Sequence, residues 1–129
     1  MAFVTVIVML ALVEYIYFGV AVGRARVRHG VDAPAVTGDE NFERFFRAHQ
    51  NTLEQLVPFV PAIYAAAYYA NELAAVALGV VFLISRAMYF RTYIADPAKR
   101  GPGMLGSMAS TVLLIAMALV GATRAALMS

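Results

Sequence analysis

Three polar residues, Arg47, Asn51 and Glu54, are separated by four and three positions in the sequence. In an α-helix, where successive residues are about 100° apart, this spacing places all three side chains on one face. An arginine binds a carboxylate through two parallel hydrogen bonds, a glutamate pairs with an ammonium group, and an asparagine both donates and accepts. These residue types on one face therefore suit a small anionic or zwitterionic ligand.

A second polar set, Arg86, Tyr89 and Tyr93, is spaced by three and four positions and so shares one face of another helix. Its tyrosine hydroxyls add donors and acceptors, and its arginine adds a cation. Arg26 and Arg100 flank the two sets from segments that we expect to be loops. We expect all of these residues to lie at a similar depth and to bind a ligand that carries several carboxylates and an amine.

The same charges also allow a structural interpretation, in which Arg47, Glu54 and Arg86 form an ion-pair network that holds the helices together. Ionisable side chains inside a membrane are costly and usually face the interior of a helix bundle. Both interpretations stay open at this point, because periodicity alone does not identify a ligand. Glu14 stands apart in the middle of the first apolar segment, where it is paired, protonated or functional.

Hydrophobic residues make up 62% of the 129 residues, and charged residues make up only 14%. Soluble domains are about half apolar and about a quarter charged, whereas a membrane-spanning helix needs about 20 mostly apolar residues. We therefore predict an all-α integral membrane protein, a single domain that forms a bundle of four transmembrane helices. The predicted helices are about 2–23, 42–70, 73–94 and 104–127.

The basic residues of the connecting segments fall in the first and third loops, and none falls in the second. Cytoplasmic loops are enriched in Lys and Arg, so we expect these two loops in the cytoplasm and both termini on the opposite side. A formal net charge of +2 is too small to indicate nucleic-acid binding. The chain has no cysteine and only 2 histidines, in different segments, so the sequence predicts no metal site.

Two segments resemble the signature of a known family, the membrane-associated proteins in eicosanoid and glutathione metabolism (MAPEG). Residues 42–54 begin with Phe-Glu-Arg, carry the arginine, asparagine and glutamate described above at the family's spacings, and are followed by a proline like Pro58. Residues 86–93, with Arg100 further on, are similar to the end of the family's third helix and the start of its fourth. The hydropathy of all four predicted spans agrees, so the resemblance covers nearly the whole chain.

The resemblance implies a homotrimer of four-helix protomers, with a glutathione site between neighbouring subunits that opens to the cytoplasmic side. It also implies that glutathione is the co-substrate and that Arg100 is the catalytic residue that stabilises its thiolate. Positions that match the family's glutathione-binding residues are Arg26, Arg47, Asn51, Glu54, Tyr89 and Tyr93. Arg86, on the same face as the two tyrosines, completes the predicted binding set.

The function implied by this family is that of a membrane glutathione transferase or peroxidase. It would conjugate the thiolate to apolar electrophiles or reduce lipid hydroperoxides, with lipids and a membrane-soluble substrate as its partners. One alternative is a non-catalytic lipid-binding protein of the same family, because a fold alone does not prove an enzyme. Another is a small cation transporter that uses Glu14, although the long first loop and the polar start of the second helix argue against it.

Overall fold

The computed structural model describes residues 1–129 and is entirely helical outside the connections. The four α-helices are α1 (Ala2–His29), α2 (Glu40–Tyr69), α3 (Glu72–Ala95) and α4 (Gly101–Met128), and a short 3₁₀ helix, Pro97–Lys99, lies between α3 and α4. Four helices in one bundle confirm the predicted all-α class. Neighbouring helices are joined by short connections, except for the longer loop between α1 and α2.

Side-chain caps determine where two of the helices begin. The Asp39 carboxylate accepts a hydrogen bond of 2.9 Å from the backbone N–H of Phe42 at the start of α2. The Asn71 side chain does the same for the N–H of Ala74 at the start of α3, at 2.8 Å. Both residues are of the types that satisfy the free N–H groups of a first helical turn.

Two helix ends differ from the sequence prediction, and both differences concern arginines. α1 continues past the predicted end at residue 23 to His29, so Arg26 lies on a helix and not in a loop. α4 begins at Gly101 and not at residue 104, which places Arg100 directly before it. Arginine has a high helix propensity and is favoured near a helix C-terminus, so charge alone did not end α1. Pro102 is tolerated in α4 because the first turn needs no N–H donor.

The centre of the bundle is an apolar core to which all four helices contribute. Phe59 of α2 and Phe82 of α3 stack at its middle with ring centroids 3.7 Å apart. A smaller cluster closes the end of the bundle nearer the first and third loops, where Phe18 of α1 stacks on Phe90 of α3 at 4.1 Å. This aromatic end of the core supports the polar residues described below.

Glycine allows α3 and α4 to approach each other closely. A Cβ atom on Gly103 would lie 2.6 Å from the backbone nitrogen of Tyr89, so no larger residue fits there without moving a helix. Small residues at such contacts are typical of helices that pack inside a membrane. The close approach fixes Tyr89 next to the start of α4.

The outside of the bundle is strongly apolar. Side chains such as Val57, Ile84 and Leu113 are more than half exposed. Three helices, α1, α3 and α4, are long and apolar enough to cross a membrane by length and composition. α2 does not meet that criterion, because its first half is rich in charged residues. That α2 is the fourth span therefore stays a prediction.

Candidate functional site

An open polar groove lies where α2 and α3 meet the start of α4. It encloses about 410 Å³ and is lined by 7 residues, namely Arg47, Gln50, Asn51, Glu54, Tyr89, Tyr93 and Arg100. All but Gln50 belong to the set that the sequence singled out. The structure therefore brings together residues that are far apart in the chain, from α2, from α3 and from the turn before α4.

The α2 side of the groove follows directly from helical periodicity. α2 is continuous from Glu40 to Tyr69, so Arg47, Asn51 and Glu54 project from one face as their spacing predicts. Gln50 was missed, although it precedes Glu54 by four positions and so lies on the same face. Its helical spacing from Glu54 was the signal in the sequence that could have identified it.

The charged groups of the groove form no ion pair within the chain. Arg47, Glu54 and Arg100 take part in none of the ion pairs of the structure. All three side chains are exposed. The ion-pair network between Arg47, Glu54 and Arg86 that the sequence allowed is thus not formed. Two cations and one anion with unused hydrogen-bonding capacity leave the groove complementary to a ligand with both signs of charge.

The α3 side of the groove is formed by two stacked tyrosines. The rings of Tyr89 and Tyr93 lie 5.5 Å apart, and Tyr89 is buried against α4. Because stacked rings have little freedom, the two side chains line the groove in a defined arrangement. They supply hydroxyl groups close to the charges on α2.

Arg100 also lines the groove, from the short turn before α4. Its guanidinium group donates a hydrogen bond of 2.9 Å to the carbonyl oxygen of Pro97. This bond uses part of the guanidinium group and ties it to the 3₁₀ helix, while the rest of the group stays exposed. Arg100 is thus a positioned cation at the rim of the groove.

Arg86 is one predicted ligand residue that the structure places elsewhere. Its side chain is 0% exposed, and its guanidinium group donates to Asn51 Oδ1 at 3.0 Å, Thr52 Oγ1 at 2.8 Å and Ser107 Oγ at 3.3 Å. Arg86 therefore lies behind the groove and does not line it. Its position on the face of α3 did not reveal how deeply α2 and α4 cover it, and a direct contact with a ligand stays a prediction.

Arg26 is the second predicted ligand residue outside the groove of its own chain. Its guanidinium group donates to the carbonyl oxygens of Ala35 at 2.6 Å and Val31 at 3.3 Å, and it lies over the Phe42 ring, 4.7 Å from the centroid. These contacts hold the α1–α2 loop against the end of α1. The expected approach of Arg26 to the other site residues is therefore not made within one chain.

Comparison with known proteins adds independent findings to this geometry. A family model described as the MAPEG family matches residues 3–120. The chain is 38% identical over 113 residues to microsomal glutathione S-transferase 2 of Mus musculus. This alignment covers 88% of this chain and 77% of the relative. It is 33% identical over 120 residues to leukotriene C4 synthase of Cavia porcellus, and this alignment covers 93% of this chain and 80% of the relative.

A third relative comes from a cyanobacterium. The chain is 42% identical over 107 residues to an uncharacterized protein of Synechocystis sp., which covers 82% of this chain and 78% of the relative. The matched region in each case includes the groove on α2 and α3.

Proposed function

The chain belongs to the MAPEG family and is an integral membrane protein, and we propose on that premise that it is a membrane glutathione transferase or peroxidase. Its substrates would be apolar electrophiles or lipid hydroperoxides that reach it through the bilayer. The observation that carries the proposal is the groove in which Arg47, Glu54 and Arg100 have no protein partner for their charge.

Glutathione matches the chemistry of this groove. The tripeptide has two carboxylates, one ammonium group and one thiol. Arg47 suits a carboxylate, Glu54 suits the ammonium group, and Asn51 and the tyrosine hydroxyls suit the peptide amides and carbonyls. Gln50, a neutral donor and acceptor on the same face, adds a further hydrogen bond to the peptide backbone.

Arg100 would activate the bound thiol. A nearby cation stabilises the thiolate, and the thiolate is the reactive nucleophile. In conjugation its sulfur forms a bond to an electrophilic carbon, and the leaving group departs with the bonding electrons. With a hydroperoxide, the sulfur takes the terminal oxygen and releases an alcohol, and a second glutathione reduces the resulting sulfenic acid to give a disulfide and water.

The groove is open on one side, which fits a site completed by a neighbouring subunit. We propose a homotrimer in which Arg26 of an adjacent subunit approaches the groove, with α2 as the fourth span. The first and third loops would face the cytoplasm, because they hold the basic residues. A reporter fused after α4 should then report the non-cytoplasmic side, and crosslinking should proceed to a trimer. A cytoplasmic C-terminus or a dimer as the end product would contradict this arrangement.

The test uses the full chain in lipid nanodiscs. We expect calorimetry to detect glutathione binding and assays to detect conjugation of a chlorinated nitrobenzene or reduction of a lipid hydroperoxide. S-methylglutathione is the matched control, since it keeps both carboxylates and the ammonium group but cannot form a thiolate. It should bind without reacting. A protein that binds no glutathione and shows neither activity would refute the enzyme and leave a non-catalytic lipid-binding role.

A further inference from the structure

A buried arginine needs a counter-charge, and Arg86 has none in its immediate surroundings. It is 0% exposed, and its hydrogen-bond partners, Asn51, Thr52 and Ser107, are all neutral. Its Nε atom is also buried and has no hydrogen-bond acceptor. A cation without a nearby anion is expensive in the interior of a membrane protein. The question is therefore which carboxylate compensates it.

The register in which α1 packs against α3 identifies the nearest candidate carboxylate. A Cβ atom on Gly79 of α3 would meet the Ile7 side chain of α1, and further along the same helices Phe18 stacks on Phe90 at 4.1 Å. Both pairs differ by 72 in residue number, so the two helices run parallel in a constant register. A residue of α1 is consequently level with the residue of α3 that is 72 positions later.

In this register Glu14 is level with Arg86. Ile7, Ala11 and Phe18 are buried on α1 at heptad-like spacing, and Glu14 occupies the position of that stripe between Ala11 and Phe18. Its side chain is half-buried and makes no hydrogen bond or ion pair of its own. It is the one charged member of the α1 stripe that faces α3.

We propose that Glu14 is the counter-ion of Arg86 and thereby a positioning residue for ligand binding in the groove. The role of Glu14 in binding rests on the proposed glutathione site, whereas its pairing with Arg86 does not. The pairing also explains why a carboxylate occurs in the middle of an otherwise apolar helix.

The effect reaches the groove through Asn51. Arg86 donates to the Oδ1 atom of Asn51 at 3.0 Å, so the amide nitrogen of Asn51 is left to donate to a ligand. The Arg86 guanidinium carbon also lies 4.3 Å from the ring centroid of Tyr89, the other groove residue that it touches. A guanidinium group that moves for lack of a counter-ion would release both Asn51 and Tyr89 from their fixed orientations.

The experiment replaces Glu14 with Gln, which removes the charge and keeps the size. We expect the dissociation constant and KM for glutathione to rise by about three- to tenfold while kcat changes little, as for residues coupled through one shared partner. Both constants for Glu14→Asp should lie between those of the wild type and those of Glu14→Gln. Glu72→Gln is the matched control, because it removes a carboxylate that pairs with the N-terminal ammonium group at the far end of α3. It should leave both constants unchanged.

A background without Asn51 separates positioning from general destabilisation. In Asn51→Ala the further change Glu14→Gln should have little effect on KM, since the residue that transmits it is gone. The proposal would be overturned if Glu14→Gln raised KM equally in the wild type and in Asn51→Ala. It would also be overturned if Glu14→Gln, like Glu72→Gln, left both constants unchanged.

Thermal unfolding tests the pairing even if glutathione does not bind. The losses of Tm in Glu14→Gln and Arg86→Gln should be clearly non-additive in the double variant if the two side chains interact. Additive losses would refute the pairing. Non-additive losses without any glutathione binding would refute the proposed function alone and leave the counter-ion role standing.

Discussion

The arginines in the groove and the arginine behind it differ in exposure and in hydrogen-bond partners. In the groove, Arg47 and Arg100 are exposed and pair with no carboxylate. Behind the groove, Arg86 is completely buried and donates to three protein side chains. The sequence gives no sign of this division, since all three belong to polar sets near the same end of the bundle. Under the proposed function, one residue type would bind the ligand in the groove and would orient the binding residues from behind it.

The largest effect is expected from Arg86→Met, which keeps an unbranched chain but removes the guanidinium group. Asn51, Thr52 and Ser107 would lose their shared donor, and we expect a loss of about 3 kcal/mol in stability. The measurement is thermal unfolding in detergent. Arg47→Met is the control and should change stability by less than about 0.5 kcal/mol, as is usual for exposed sites. Equal losses of stability in Arg86→Met and Arg47→Met would contradict a structural role for the buried arginine alone.

The next effect concerns ligand affinity and the groove. Glu54→Gln removes the anion that we expect to hold the glutathione ammonium group, while the fold keeps its core. Removal of one partner from such a charge pair typically costs about 2–5 kcal/mol, so affinity should fall at least tenfold at unchanged Tm. Calorimetric titration with glutathione measures it. Glu40→Gln, which affects only an exposed pair with Arg44, is the control and should bind normally.

Arg100→Ala should affect chemistry more than binding. Without the cation the thiolate of bound glutathione is less stable, so the pKa of its thiol rises and the reactive fraction at neutral pH falls. A rise of one unit corresponds to about a tenfold lower turnover near pH 7, with recovery at high pH. The pH profile of kcat for conjugation tests this.

Lys99→Ala, which removes an exposed cation beside Arg100 that does not line the groove, should leave the profile in place. If Arg100→Ala gives the wild-type profile, the activating group is instead a tyrosine hydroxyl or Arg26 of an adjacent subunit.

The smallest effect should come from Gln50→Ala. Gln50 offers only a neutral hydrogen bond, which contributes about 1 kcal/mol, so the affinity for glutathione should fall about fivefold. Equilibrium binding detects such a change. A variant with unchanged affinity would show that Gln50 lines the groove without contacting the ligand.

Much of the groove could be predicted because helical periodicity is a local property. The spacing of Arg47, Asn51 and Glu54 fixes their common face as soon as α2 is a helix. Helix ends were less predictable. α1 runs on through its arginines to His29, because Arg is a good helix former and Gly30, with φ of 68°, ends the helix instead.

What the sequence determined by itself was the class of protein, the number of helices and the groove face of α2, because these depend on composition and on the period of a helix. Only the tertiary structure decided which polar residues meet. Arg86 and Tyr89 lie one turn apart on α3, yet one is sealed behind α2 and α4 and the other lines the groove. Glu14 is level with Arg86 only because α1 and α3 pack in one register. Depth and register depend on contacts between distant segments, and no local pattern encodes them.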